Sequence, residues 1–207
     1  EVQKRAVLLE ERQRIVRDMH DGIGGQLLGL VVQVKARQLD SDGLESALQN
    51  SISDLRLIVD SLDSAEEGVA DALRGFEHRL RAQTNAIKAD LSSRINLDDQ
   101  DVVLGARGTL QVLRVLQEAA ANAIRHGRPS RIALVAERNA AGEVEISIQD
   151  NGPGFKDLAH AGRGLANMRT RATSIGARLD ILSDANGTLV RLTLDPSVVS
   201  ATKLEVA

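Results

Sequence analysis

Cysteine, tryptophan and tyrosine are absent from this sequence of 207 residues, and phenylalanine occurs only twice. The missing cysteine excludes disulfides and thiolate-held metals, and it fits a reducing compartment. Aromatic residues make up 1% of the chain, too few for a platform on which unpaired bases stack. Neither sign of charge dominates, and a formal net charge of -3 gives no basic footprint for nucleic acid. Long apolar runs are lacking too. The longest candidate, Leu27 to Val34, is broken by Gly29 and Gln33 and falls short of a bilayer span. No signal-peptide pattern occurs. The first residue is Glu1 rather than methionine, so a longer protein is expected around this stretch. What is plentiful is aliphatic: at 43% hydrophobic and 27% charged, the chain has enough Leu, Ile, Val and Ala to fill one large core or two modest ones.

The pattern divides the chain in two. Residues 1 to about 62 contain no proline, and Val16, Met19, Ile23, Leu27, Leu30, Val31 and Val34 recur at helical steps. A turn signal, Asp40-Ser41-Asp42-Gly43, precedes a second helical run through Leu44, Leu48, Ile52, Leu55, Val59 and Leu62. This predicts an antiparallel hairpin over 1–64. Two such stripes do not bury each other fully, so pairing of two hairpins into a homodimeric four-helix bundle is expected. A single hairpin packed on the rest of the chain is the other reading. Polar residues 65–68 form a linker, 69–195 a second domain, and 196–207 a tail.

In that second domain the pattern is mixed. Helices are expected over Val69 to Ala86, Leu110 to His126 and Leu165 to Ile175. Strands are expected near Ile87 to Leu91, over Arg131 to Glu137 and Val144 to Gln149, and over Arg178 to Leu182 and Thr188 to Leu194. Ala140-Ala141-Gly142 and Asn186-Gly187 supply hairpin turns. The fold class is therefore a helical hairpin followed by an α/β sandwich, one mixed sheet with helices on one face.

Three constellations in this half carry chemistry. Glu118, Asn122 and His126 fall at four-residue intervals on one helix face, opposite Leu113, Leu116, Ala120 and Ile124. An asparagine oxygen suits Mg²⁺, Glu118 suits a metal-bound water, and Arg125 and His126 suit phosphate oxygens. Asp150-Asn151-Gly152-Pro153-Gly154-Phe155 directly follows a strand. An acid there accepts a hydrogen bond from an exocyclic amine such as that of adenine, while the glycines let backbone approach a ligand. Gly162-Arg163-Gly164-Leu165 opens a helix, whose free N–H groups form an anion site. Taken singly, each is also an ordinary solvated face, turn or cap.

Their order and spacing resemble the N, G1 and G2 boxes of the GHKL ATPase superfamily, over roughly residues 105 to 195. The resemblance implies a Bergerat-type sandwich that binds ATP with Mg²⁺. It implies Asn122 as the Mg²⁺ ligand, Asp150 as the adenine-reading acid, and Gly152, Gly154, Gly162 and Gly164 as the box glycines. Thr188 would support the adenine end, and Phe155 to Ala161 would form a short lid. Gly127 stands where many relatives carry alanine; it is expected to end the helix as a C′ residue ahead of Pro129.

In the first helix, Met19-His20-Asp21-Gly22 follows Glu11-Arg12-Gln13-Arg14-Ile15-Val16-Arg17-Asp18. A neutral imidazole is a good nucleophile near neutral pH, and an adjacent carboxylate fixes its tautomer. The run resembles the H box of histidine kinases that partner NarL-type response regulators. This implies His20 as phosphoacceptor, Asp21 as orienter and proton acceptor, a homodimer, and phosphotransfer to a regulator's aspartate. It also implies a cytoplasmic core within a membrane-anchored protein. That class usually carries Gln five residues after His; here the position is Gly25 and Gln26 follows, about 100° further round the helix. Gln26 is thus a weak candidate for a phosphatase role unless Gly22, Gly24 and Gly25 distort the helix. Two other readings stay open: a GHKL ATPase or serine kinase of another kind, and a non-catalytic dimerisation module.

Overall fold

Alternation of apolar and polar residues along the strands decides which side of the sheet is covered. In the computed structural model, which describes residues 32, 34–35, 41–63, 68–98, 101–155 and 162–195, five strands form one sheet. They are β1 (Asp90–Asn96), β2 (Arg131–Arg138), β3 (Val144–Asp150), β4 (Arg178–Asp184) and β5 (Gly187–Leu194). Their order is β1-β2-β3-β5-β4; β1 runs parallel to β2, and every other neighbour is antiparallel. Ile132, Leu134 and Ala136 of β2, Val144, Ile146 and Ile148 of β3, and Val190, Leu192 and Leu194 of β5 are buried on one face. The other face carries ion pairs, among them Arg94 with Glu137 and Arg191 with Glu145. This is the one-sided pattern of a sheet with helices on a single face.

The covering helices are α1 (Ser41–Asp63), α2 (Val69–Ala86), α3 (Gly105–Asn122) and α4 (Gly162–Ser174). Helix α3 lies at the centre of the layer and buries Val112, Leu113, Val115, Leu116, Ala119 and Ala120. Each fully buried aliphatic side chain of this kind contributes about 1.5–3 kcal/mol relative to exposure. Helix α2 docks on β1. Among its contacts, Glu77 pairs with Arg81 and takes a hydrogen bond from Ser93; the Arg81 interaction dominates and holds the Glu77 carboxyl below its ordinary range.

Several boundaries differ from the sequence expectations; α3 starts at Gly105 rather than Leu110 and α4 at Gly162 rather than Leu165. The first strand begins at Asp90 rather than near Ile87, because residues 87–89 close helix α2: the amides of Ile87 and Ala89 return to the Thr84 carbonyl, and Lys88 takes a left-handed φ of 59°. The turn expected at 40–43 is largely helix, since α1 already starts at Ser41. Ser and Asp favour both turns and helix N-termini, so the sequence signal serves either. Helix α3 also ends earlier than His126. Residues Ala123–Gly127 form a π-turn, and the left-handed residue after it is Arg128, at φ 40°, not Gly127.

Helix α1 faces two ways. Leu57 and Ile58, 1% and 0% exposed, join the sandwich core, and α1 packs mainly against α3. Asp60 forms an ion pair with Arg79 of α2. On another side of the helix Leu48, Ile52, Leu55 and Val59 stay between 40% and 53% exposed, spaced as one stripe. The first helix of the expected hairpin lies almost wholly outside the described residues.

Candidate functional site

Between the inner sheet face and helices α3 and α4 lies a cavity of about 640 Å³. Each wall comes from a different local rule. Strand alternation puts Asp150, Ile148, Thr188, Val190 and Ile181 on the inner face, so an acid and a hydroxyl end rows that are otherwise apolar. Helical spacing puts Glu118 and Asn122 on the side of α3 that faces the cavity, and His126 of the π-turn joins them there. Gly164 and Leu165 bring the first turn of α4 to the opening, with Met168 one turn further in.

Asp150 is held in place by its own loop. It is 6% exposed, and its Oδ1 accepts the Gly152 N–H at 2.7 Å. Gly152 does not line the cavity; it sits behind the acid. A Cβ at Gly152 would fall 2.7 Å from the Gly127 carbonyl oxygen and 2.8 Å from its Cα, so the two glycines meet backbone to backbone. The close approach between the π-turn and the loop after β3 accounts for Gly152; Gly127 is not a left-handed C′ residue, and a Cβ on it would lie 3.3 Å from Asp150 Oδ1. Asn151 fastens the same loop to β2, accepting the amides of Ser130 and Arg131 at 3.0 and 2.9 Å and donating to Ser130 Oγ.

Gly154 and Gly164 each sit close against a neighbouring element. Gly154 has φ 62°, and a Cβ there would collide with the Asp184 carbonyl. A Cβ on Gly164 would collide with the Glu118 carboxylate, so the start of α4 and the polar stripe of α3 close together. Gly162 is the first residue of α4.

Of the residues singled out in this domain, Glu118, Asn122, His126, Asp150, Gly154, Gly164, Leu165 and Thr188 line the cavity together. Arg125 does not: its Nε donates to the Ala121 carbonyl at 3.3 Å, folding the side chain back along the helix. His20, Asp21, Gly25 and Gln26, and lid residues 156–161, lie outside the described residues. Sequence reasoning passed over the apolar lining of Ile148, Val190, Ile181 and Met168, which carries no signal distinct from core. It also passed over Ser183, whose hydroxyl touches Thr188.

The arrangement is amphipathic in a useful sense. An apolar slot ends in a carboxylate and a hydroxyl, which suits a flat heteroaromatic base. The other end offers an amide oxygen, a carboxylate and a helix N-terminus, which suit phosphates and a hard cation. Among the described residues no three His, Cys, Asp or Glu side chains gather as a metal cage. The hard donors of Asn122 and Glu118 nevertheless fit Mg²⁺, which takes few protein ligands when phosphates supply the rest.

Comparison with known proteins agrees with this geometry. Residues 108–198 match the family of histidine kinase-, DNA gyrase B- and HSP90-like ATPases, and residues 11–85 match a histidine kinase family. The fold is thus the Bergerat-type sandwich preceded by a histidine kinase helical segment. The chain belongs to the sensor histidine kinases, as the catalytic-core portion. The sensor histidine kinase YxjM of Bacillus subtilis is 30% identical over 84% of this chain and 45% of its own length. LiaS of the same organism is 24% identical over 91% of this chain and 55% of its own length. The nitrate/nitrite sensor NarX of Escherichia coli is 25% identical over 95% of this chain and 34% of its own length. The chain therefore spans about half or less of these relatives. Among solved structures, a blue-light activated histidine kinase of Erythrobacter litoralis superposes with a TM-score of 0.62 at 17% identity, over 94% of this chain and 62% of that one.

Proposed function

We propose that this chain is an ATP-dependent protein-histidine kinase core that phosphorylates His20 and passes the phosphoryl group to an aspartate of a NarL-type response regulator. One observation carries the reading: a cavity with Asp150 and Thr188 at one end and Asn122 and Glu118 at the other sits on the same chain as a histidine kinase segment containing His20-Asp21. In this reading Asp150 accepts a hydrogen bond from the adenine amine. The ring lies against Ile148, Val190 and Met168, and the first turn of α4 receives phosphate oxygens. Asn122 would hold Mg²⁺ directly and Glu118 through a water, neutralising charge on the phosphates. His126, which lines the cavity, would meet a phosphate oxygen; Arg125, folded back along its helix, would not. Catalysis is then mostly positioning and charge neutralisation. The His20 imidazole attacks the γ-phosphorus in line, and Asp21 fixes the tautomer and takes the proton.

Two copies are proposed to pair through the helical hairpin, and the exposed α1 stripe supports this. No helix among the described residues is long and apolar enough to cross a membrane. The proposal places this portion in the cytoplasm and a membrane anchor elsewhere in the longer protein. The proposed mechanism has the sandwich swing near residues 63–68 to present the γ-phosphate to His20, a motion that would draw Leu57 and Ile58 from the core they join.

The test is phosphorylation with γ-labelled ATP and Mg²⁺. Wild type is expected to acquire acid-labile, base-stable label, and His20→Ala and Asn122→Ala to acquire none. Label persisting on His20→Ala would overturn the acceptor assignment. ATP bound but never transferred under any condition would leave an ATPase-fold binding module.

A further inference from the structure

Three polar side chains form a row across adjacent strands at the base end of the cavity. Asp150 of β3 is registered opposite Thr188 of β5, and Thr188 is registered opposite Ser183 of β4. Ser183 Oγ and Thr188 Oγ1 are 2.9 Å apart. Ser183 Oγ also accepts the backbone N–H of Phe155 at 2.9 Å. Gly154 makes that bond possible, because a Cβ there would meet Ser183 Oγ at 2.9 Å as well as the Asp184 carbonyl.

Proton counting gives the row a direction. A serine hydroxyl has one proton and two lone pairs. The Phe155 amide takes up one lone pair of Ser183. If Thr188 took up the other, the Ser183 proton would have no acceptor among the described residues. Donation from Ser183 to Thr188 satisfies Ser183 and leaves the Thr188 proton available to the cavity that Thr188 lines. Beside it stands Asp150, whose Oδ1 takes the Gly152 amide and whose second carboxyl oxygen can accept a hydrogen bond. Acceptor and donor on neighbouring strands sit about 5 Å apart at Cβ. They complement a base edge carrying an amine next to an unprotonated ring nitrogen, which among the purine pairing edges is that of adenine. Guanine presents the reverse order, a carbonyl next to a ring N–H.

We propose that Ser183 is a positioning residue for base selection. It fixes Thr188 as a donor, and through the Phe155 amide it ties the base-reading row to the first residue of the segment leading to α4. The inference rests on the ATP reading above and adds to it the residue that sets the polarity of the pair.

The experiment is calorimetric titration of wild type, Ser183→Ala, Ser183→Thr and Asp150→Asn with ATP and with GTP, alongside thermal midpoints without nucleotide. Ser183→Ala is expected to weaken ATP binding roughly tenfold with little change for GTP, so that the selectivity ratio falls. Ser183→Thr, which keeps the hydroxyl, is expected to restore the ratio, and the nucleotide-free midpoint of Ser183→Ala to stay near wild type. If Asp150→Asn loses ATP while Ser183→Ala keeps both affinity and ratio, the role of Ser183 is overturned and the ATP reading stands. An equal loss for ATP and GTP, or a threonine variant as impaired as the alanine one, also overturns it. If wild type binds no ATP, the ATP reading itself fails and this inference goes with it.

Discussion

Single atoms decide much of this site. The Cβ missing from Gly127 would lie 3.3 Å from Asp150 Oδ1, close enough to displace the acid by a few tenths of an ångström. Gly127→Ala is therefore expected to weaken ATP binding about fivefold, the scale of one disturbed hydrogen bond, with little effect on unfolding. Titration calorimetry together with a thermal melt separates the two effects. Gly152→Ala is a harsher change, because its Cβ meets backbone rather than a side-chain tip. It should lower the melting temperature and remove nucleotide binding together. Glu77 supplies a pH-dependent contribution. Its carboxyl is held below its ordinary range chiefly by the Arg81 hydrogen bond, so its stabilisation is present above the unfolded value and is lost as pH falls through the folded one. Chemical denaturation of wild type and Glu77→Gln should differ at neutral pH and converge in acid.

Helices and strands were legible to different depths. Val69–Ala86 was readable to the residue because apolar spacing and the flanking Gly68 agree. The strands β2 and β3 were readable because they alternate cleanly; β1 was misplaced because Ser92, Ser93 and Arg94 mute its alternation. The cavity's polar residues were visible through the order of their motifs, whereas its apolar walls were not, since Ile148 and Val190 look like any other inward strand residue. Nor does the linear sequence say that α1 would divide its apolar residues between two partners. That division can be tested at both faces. Leu57→Ala should cost about 2–4 kcal/mol in denaturant unfolding, as for other buried leucines. Ile52→Glu, on the exposed stripe, should leave nucleotide binding intact while shifting the chain from dimer to monomer in sedimentation. A chain that is monomeric before the substitution would sink the paired-hairpin proposal.

At the scale of the whole molecule, α1 joins the segment carrying the proposed acceptor histidine to the nucleotide domain, and it is fastened to α2 by the Asp60–Arg79 pair. If the sandwich must leave this seat to reach His20, loosening the pair should favour transfer. Both side chains of the pair are only about a quarter exposed, so Asp60→Asn is expected to loosen the seat and accelerate labelling of His20. A slower rate would mean that the docked arrangement is the productive one.

The π-turn has a consequence of a different sort. Helix α3 and its continuation hold one residue more than α-helical winding would use between Asn122 and Gly127. Deleting a single residue there would let the turn close to ordinary α-helical winding with the chain beyond it kept in step, whereas inserting one more would rotate everything after it by about 100°. Helix ends usually absorb such insertions without penalty to folding. Here the chain's count is itself the ruler that sets Asn122 at one distance from the loop behind Asp150. A gain of one residue would split a site that no substitution on either side had touched.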